Sequence, residues 1–188
     1  SFFVKKKYLN IVSIGRLTDQ KDHITILKAI NYSKKKDKIK MIIMGSGYKK
    51  NLLKNYIKSN NLNKTVKIVD YKKNPYNYIS FSDCLILSSK YEGSPNVLLE
   101  AAILKKLIIS SNCKTGPKQI ISNGKGGYLF EVGDYKKLSK IIDNLNFTKK
   151  ETKNKIYYSY KLAKKYSKLN QEKEFIFALK KLKMNEKN

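Results

Sequence analysis

Two glutamates, Glu92 and Glu100, frame a loop and the first turns of an apolar helical pattern. Glu100 is flanked by leucines and alanines, and a carboxylate in apolar surroundings needs hydrogen-bond donors as partners. Ribose hydroxyl groups would supply such donors, whereas two glutamates on an ordinary helix surface are the alternative interpretation. The residues between the glutamates that we assign to the same candidate site are Gly93, Ser94, Pro95, Asn96 and Val97.

The residue types in this segment predict how the helix begins. Ser94 is a typical N-cap, and Pro95 is of the type tolerated as a first helical residue. The first amides of a helix have no acceptor within it. We therefore expect the amides of Asn96 and Val97 to point into the same cleft as Glu92.

A second candidate site lies in the loop 15–21, after the first apolar run. Gly15 is followed by Arg16 and then by Lys21, just before a helical pattern. Partial positive charge accumulates at a helix N-terminus, and an arginine can bind two phosphate oxygens at once. The two cations suit a diphosphate, and two solvated surface cations are the alternative. Arg16 is the one arginine among 41 basic residues, which favours a special role.

Two further loops are shaped by glycine. Gly45 and Gly47 follow the second apolar run and predict a tight turn where a ligand can approach the backbone. They do not form a dinucleotide fingerprint, which follows the first strand and has a third glycine. We assign the segment 113–117 only a role in shaping its loop, because Gly116 and Pro117 predict a turn followed by the start of a helix.

These loops need a common scaffold, and the apolar runs predict one. Short apolar runs alternate with helical patterns, as is typical of βαβ units and a parallel sheet. We predict an α/β fold with a Rossmann-like, doubly wound parallel sheet of about six strands and C-terminal helices. Ligands of such sheets lie at the carboxyl ends of the strands. The predicted strands are residues 9–14, 39–44, 66–69, 83–87, 107–110 and 128–130; the predicted helices include 95–104, short helices that start at Pro75 and Pro117, and one that Asp134 caps.

The domain organisation follows from a change of pattern near residue 146. Residues 1–146 are predicted to form the ligand-binding domain, and 147–188 to form lysine-rich helices. Their apolar stripes contain Ile156, Tyr160 and Ala163, and then Phe175, Leu179 and Leu182. Such stripes would pack on the sheet domain or on a missing N-terminal domain. The chain starts without Met and enters an apolar run at once, so we expect a piece of a longer protein.

The net charge of +27 limits the classes of partner. The lysines are spread along the chain, whereas readers of nucleic-acid bases usually need arginines or interleaved aromatic residues. No nucleic-acid partner is expected; a solvated lysine-rich surface is favoured, and attraction to an anionic membrane is the next interpretation. A basic module for nucleic acid or membranes remains the alternative function at this stage.

The two cysteines and the single histidine predict neither a metal site nor a disulfide framework. Cys84 lies in an apolar run and is predicted to be a small buried residue. The absence of a membrane-spanning run and of a signal peptide predicts a cytoplasmic protein, which could lie on the inner face of the cytoplasmic membrane. No metal and no cofactor is expected.

Together, these segments resemble the C-terminal domain of the GT-B glycosyltransferases of retaining family 4, also called glycosyl transferases group 1. The segment 88–101 is the most specific, because Glu92 and Glu100 fit the family's Glu-x7-Glu motif. The resemblance covers residues 9–145 in the family's order. The other matching segments are 13–17 with 20–22, 45–47, Asn74-Pro75 with Tyr78, and 112–134.

The resemblance implies a role for each candidate residue. Arg16 and Lys21 would hold the diphosphate of a nucleotide-sugar donor, a UDP-sugar in particular, and stabilise it as leaving group without a metal. Glu100 would bind the ribose, and Glu92 would face the transferred sugar and act with Arg16 and Lys21 as a catalytic residue. The base would lie near Gly47 and the backbone at Tyr71 and Lys72.

The resemblance also implies an acceptor, and this sequence differs from the family's pattern in two respects. The acceptor would be a glycan or a lipid-linked saccharide in bacterial lipopolysaccharide, capsule or oligosaccharide synthesis. Asp70 stands where the family usually has glycine, which puts the base contacts in doubt, and the acceptor-binding domain is absent. A Rossmann oxidoreductase is a third class, but it would need a glycine-rich turn where Gly15 and Arg16 stand.

Overall fold

The computed structural model of the chain describes residues 2–3 and 7–165. Within them a six-stranded sheet has the strand order β3-β2-β1-β4-β5-β6, and every recorded pairing is parallel. This confirms the predicted Rossmann-like, doubly wound α/β fold. The strands are β1 Leu9–Ile14, β2 Ile39–Met44, β3 Val66–Val69, β4 Cys84–Leu87, β5 Leu107–Ser111 and β6 Tyr128–Phe130.

Helices connect the strands and cover both faces of the sheet. A short 3-10 helix at Lys36–Lys38 precedes β2, and the stretch 150–165 is also helical. The α-helices are α1 His23–Tyr32, α2 Lys50–Ser59, α3 Tyr76–Phe81, α4 Asn96–Ile103, α5 Pro117–Ile120 and α6 Tyr135–Asn144.

The sheet separates two apolar clusters. Successive side chains of a strand point to opposite faces, so Ile11 joins one cluster while Val12 joins the other. Ile43 and Ile42 of β2 divide in the same way. Burial on both faces explains why the strands are nearly continuous in apolar residues.

The strand order changes direction at β1, which lies between β2 and β4. Its register pairs Ile14 with Met44 of β2 on one side and Val12 with Leu85 of β4 on the other. The chain therefore leaves β1 and β4 toward opposite halves of the sheet. Their loops open a crevice at the carboxyl edge, where such folds bind ligands.

Several predicted element boundaries need correction. Strand β4 begins at Cys84 instead of Asp83, and β5 extends to Ser111. Helix α3 begins at Tyr76, so Pro75 precedes the helix and does not form its first residue. The prediction for α6 is confirmed, because the Asp134 side chain accepts a hydrogen bond from the amide of Lys137 at 2.8 Å.

The helix at 150–165 packs on the sheet domain. Ala163 is buried in the cluster that contains Val12, and Ile156 packs against the cluster that contains Ile11. The predicted stripe of Phe175, Leu179 and Leu182 lies outside the described residues, and the division of the chain at residue 146 remains a prediction. Within residues 2–3 and 7–165, no helix has the length and apolarity needed to cross a bilayer.

Candidate functional site

The loops after β1 and β2 are in direct backbone contact. A Cβ atom on Gly45 would lie 1.9 Å from the carbonyl oxygen of Gly15, so only glycine allows this approach. The amide of Leu17 donates to the carbonyl of Ser46 at 2.9 Å. Gly47 has φ +153°, and a Cβ atom there would lie 2.4 Å from the Leu17 carbonyl oxygen. The glycines predicted to shape a turn therefore lock two loops together.

The loops after β1 and β4 are joined by side chains and backbone. The amide of Lys90 donates to the carbonyl of Gln20 at 2.8 Å, and the Gln20 side chain donates to the carbonyl of Tyr91 at 3.1 Å. The buried hydroxyl of Ser88 donates to the carbonyl of Lys21 at 2.8 Å. These bonds hold the loops after β1 and β4, which contain the predicted site residues, together at the carboxyl edge of the sheet.

An ion pair joins the predicted diphosphate cation to the predicted sugar-facing carboxylate. The ammonium of Lys21 donates to Oε1 of Glu92, and the side chains are only 16% and 7% exposed. The hydroxyl of Ser89 donates to the same oxygen at 2.5 Å. Because both groups are largely removed from water, the pair is stronger than an exposed surface pair.

Arg16 is the second cation of the site and has a different environment. Its side chain is exposed, and its guanidinium is 3.4 Å from Oε1 of Gln20. Gln20 also bonds to the loop after β4, so Arg16 lies beside the same junction as Lys21. One cation is therefore anchored to a carboxylate, and the other faces solvent.

The loop after β5 supports the loop after β4, in agreement with its predicted shaping role. Gly116 has φ +82°, and a Cβ atom there would meet Pro95 at 2.7 Å and the Gly93 carbonyl oxygen at 2.8 Å. The hydroxyl of Thr115 donates to the carbonyl of Glu92. The position of Glu92 is thus fixed through its main chain as well as its side chain.

The predicted N-cap of α4 is wrong. Pro95 occupies the cap position without a side-chain hydrogen bond, and Ser94 is exposed. The amide of Asn96 bonds to the Ser94 carbonyl at 2.9 Å, so it is not the free donor that we expected. Proline has no side-chain acceptor, so the first amides of α4 receive no side-chain cap. The amide of Val97 has no hydrogen-bond partner among the described residues.

Glu100 lies in a cleft on the outer side of α4. The cleft has a volume of about 450 Å³, and Tyr76 and Asn96 line it together with Glu100. The carboxylate has no ion pair or hydrogen bond with a described residue, and partial burial raises the pKa of Glu100 above its ordinary value. A half-buried carboxylate without a protein donor is suited to accept hydrogen bonds from a ligand.

The loop after β3 contains the two predicted base-binding positions and the departure at residue 70. Tyr71 is 64% exposed and forms no hydrogen bond with a described residue. Asp70 pairs with Lys50 at 2.5 Å, and this bond lowers the pKa of Asp70. Both Asp70 and Lys50 are solvent-accessible, so the pair contributes little to stability.

Three polar residues of this site, Ser89, Ser111 and Thr115, were given no individual role in the sequence analysis, although Ser89 and Thr115 lie in segments named there. Ser89 and Ser111 are fully buried, and the Ser111 hydroxyl donates to the Ser89 carbonyl at 2.6 Å. A signal for them exists in the sequence, since serine pairs directly follow or end the most apolar runs. Hydroxyls at such positions must find acceptors nearby.

The remaining titratable groups do not form a metal centre. In the part of the chain that the structure describes, no three His, Cys, Asp or Glu residues are grouped to hold a metal ion. Burial raises the pKa of the Cys84 thiol, which is fully buried as predicted. The expectation that neither metal nor cofactor is needed stays a prediction.

The strand order defines a Rossmann-like, doubly wound domain, and the ion pair of Lys21 with Glu92 lies at its carboxyl edge. The sequence matches the family described as glycosyl transferases group 1 over residues 2–162, and the chain belongs to this family.

Curated relatives include two glycosyltransferases. An uncharacterized glycosyltransferase of Methanocaldococcus jannaschii is 36% identical over an alignment of 126 residues, which covers 63% of this chain and 31% of the relative. A Campylobacter jejuni enzyme, named as an N-acetylgalactosaminyltransferase that acts on a diphospho-undecaprenol-linked saccharide, is 31% identical over 65% of this chain and 33% of its own length. The chain thus spans about a third of the length of these relatives.

Solved structures show the same fold. A variant of Staphylococcus aureus TarM, in complex with Fondaparinux, alpha-GlcNAc-glycerol and UDP, superposes with a TM-score of 0.75 at 24% identity. The superposition covers 85% of this chain and 34% of TarM. The described fold therefore corresponds to part of a larger structure.

Proposed function

We propose that this chain is the donor-binding part of a retaining glycosyltransferase that takes its sugar from a nucleotide-sugar, in particular a UDP-sugar. The observation that carries this proposal is the arrangement at the carboxyl edge. Lys21 pairs with Glu92 beside β1, and the exposed side chain of Arg16 lies next to Gln20 in the same loop. The unpaired carboxylate of Glu100 lies on the adjacent helix. The UDP in the TarM structure supports the choice of nucleotide.

Arg16 and Lys21 bind the donor diphosphate in this proposal. Transfer breaks the bond between the anomeric carbon and the diphosphate, so negative charge increases on the leaving oxygens. Two cations fixed beside those oxygens stabilise the transition state more than the ground state. Lys21 is already held in place by Glu92, so little rearrangement is needed when the donor binds.

The nucleoside lies toward α4 and the loop after β3. Glu100 accepts hydrogen bonds from the ribose hydroxyls, which provide the donors that its surroundings lack. The base lies near Gly47 and Tyr71, which are both exposed to solvent. The exposed ring of Tyr71 is available to cover the base.

Glu92 lies at the sugar end of the donor. Its buried carboxylate is anchored by Lys21 and Ser89, so it orients a sugar hydroxyl and leaves the bond-breaking step to the cations. The proposal does not use the paired-carboxylate mechanism of glycoside hydrolases, which places two carboxyl groups on either side of the scissile bond.

The acceptor belongs to bacterial surface glycan synthesis in this proposal. The Campylobacter relative is named for a lipid-linked acceptor, and the net charge of +27 would attract a membrane with anionic lipids. The acceptor site would be supplied by an N-terminal domain that faces the crevice.

Calorimetric titration of UDP, UDP-GlcNAc, GDP and NAD tests the proposal. We expect UDP species to bind, and Arg16→Ala and Glu100→Ala each to weaken binding by roughly tenfold or more, since each removes a charged hydrogen-bonding group. Asp37→Asn is the matched control, because Asp37 is exposed and precedes β2 at the opposite edge of the sheet. Failure of UDP to bind at millimolar concentration, or tighter binding of NAD, would contradict the proposal.

A further inference from the structure

The two oxygens of the Glu92 carboxylate have different surroundings. Oε1 accepts hydrogen bonds from both the Lys21 ammonium and the Ser89 hydroxyl. Oε2 has no hydrogen-bond partner among the described residues. A carboxylate can accept about four hydrogen bonds, so a buried group with both protein donors on one oxygen keeps the other for a ligand.

Ser89 is itself held rigidly. Its side chain is fully buried, and its carbonyl accepts the hydroxyl of Ser111 at 2.6 Å. Ser111 is the last residue of β5, one strand away from β4. A chain of hydrogen bonds therefore runs from the sheet through Ser111 and Ser89 to Glu92.

The main chain of Glu92 is fixed from the same side. The Thr115 hydroxyl donates to its carbonyl oxygen, and a Cβ atom on Gly116 would lie 2.8 Å from the carbonyl oxygen of Gly93. The backbone and one carboxylate oxygen of Glu92 are thus constrained at once. Rotation of the side chain would break the bonds to Lys21 and Ser89 together.

We propose that Ser89 is a positioning residue that, with Lys21, occupies Oε1 of Glu92 and directs Oε2 toward a hydroxyl of the donor sugar. The proposal rests on the proposed function, because it deepens the role of Glu92 in a donor site. Ser89 contributes to recognition of the sugar and not of the nucleotide. Selectivity for a UDP-sugar over UDP therefore depends on a hydroxyl that never touches the ligand.

The test compares UDP with UDP-glucose and UDP-GlcNAc in calorimetric titrations of the full 188-residue chain. We expect Ser89→Ala to weaken the binding of the preferred UDP-sugar by about tenfold, as for loss of a hydrogen bond to a charged group, and to change UDP binding less than about twofold. Ser110→Ala is the control, since the Ser110 hydroxyl is also fully buried but donates only to the carbonyl of Ser111. It should leave both affinities unchanged.

A double-mutant cycle separates positioning from general damage. In a Glu92→Ala background, Ser89→Ala should have no further effect on UDP-sugar binding, because the group that it positions is gone. If Ser89→Ala does not fold, Ser89→Cys replaces it, since a thiol is a similar shape and a much weaker donor.

Three outcomes overturn the proposal. If the wild-type chain binds UDP-sugars and Ser89→Ala binds them equally well, the positioning role fails while the proposed function stands. If the wild-type chain binds no UDP species, both fail together. Equal losses for UDP and UDP-sugar in Ser89→Ala also contradict the proposal, because positioning of Glu92 concerns only the sugar.

Discussion

Lys21 is a single cation with two candidate partners, the Glu92 carboxylate and the diphosphate of a donor. The ion pair with Glu92 reduces the positive potential that a phosphate would meet. We predict that Glu92→Gln strengthens the binding of UDP by about fivefold at low salt, since a partly buried charge of the same sign as phosphate is removed. The measurement is calorimetric titration with UDP at low and high ionic strength.

Asp37→Asn again provides the control for this prediction. It makes the same change of net charge at an exposed position before β2, far from the crevice. Equal gains in both variants would show that the effect comes from overall charge. Weaker UDP binding in Glu92→Gln would mean that Lys21 needs its carboxylate partner to stay in position.

His23 is a buried imidazole whose protonation opposes folding. Burial, with a smaller effect of the Lys21 charge, lowers the pKa of His23 from 6.5 to about 4. The unfolded chain therefore binds a proton below pH 6.5 that the folded chain does not bind until about pH 4. Stability is unaffected above pH 6.5 and decreases as the pH falls through this window, by up to about 3 kcal/mol for this residue.

Urea unfolding of wild-type and His23→Gln chains between pH 7 and pH 4.5 tests this prediction. Burial also raises the pKa of Asp22, so the quantity to compare is the difference between the two chains. The stability of the wild type should fall more steeply than that of the variant. Parallel pH profiles would show that His23 keeps an ordinary pKa in the folded state.

At the scale of elements, the contact between the loops after β1 and β2 depends on glycine at position 45, which has no Cβ atom. We predict that Gly45→Ala destabilises the chain by about 2–4 kcal/mol, because its Cβ would collide with the Gly15 carbonyl oxygen and the backbone would have to move. Gly93→Ala is the matched control, since a Cβ atom there meets nothing within 4 Å. Thermal unfolding of both variants measures the difference, and equal stabilities would contradict the prediction.

The strands and helices were largely predictable, because burial on both faces leaves a direct trace in the sequence. The bounds of β1, β2, β3 and β6 were predicted correctly from their apolar runs. The start of α4 was not, because Ser94 and Pro95 fit two different helix beginnings. Only the backbone conformation at Pro95 selects between these beginnings.

The internal contacts of the site were less predictable than its location. The rule that ligands lie at the carboxyl edge identified the loops correctly as neighbours. The pairing of Lys21 with Glu92 joins residues that are 71 positions apart, and the link between Ser89 and Ser111 depends on the register of β4 against β5. Neither relation is visible in the local pattern of a single sequence.

At the scale of the whole molecule, the excess of positive charge opposes compaction. With 41 basic and 14 acidic residues, the folded chain brings many like charges close together. We predict that NaCl between 10 and 200 mM raises the unfolding temperature by about 3–5 °C, because salt screens this repulsion. A calorimetric scan measures the shift, and an unchanged or lower unfolding temperature would contradict the prediction.

The two edge strands of the described sheet are short. The outermost described strands are β3, with four residues, and β6, with three, and Lys67 of β3 is exposed. A strand of this length offers few free backbone groups to another chain, and a lysine at its surface repels a second copy. The two edge strands therefore present little unpaired backbone to which a strand of a second chain could add.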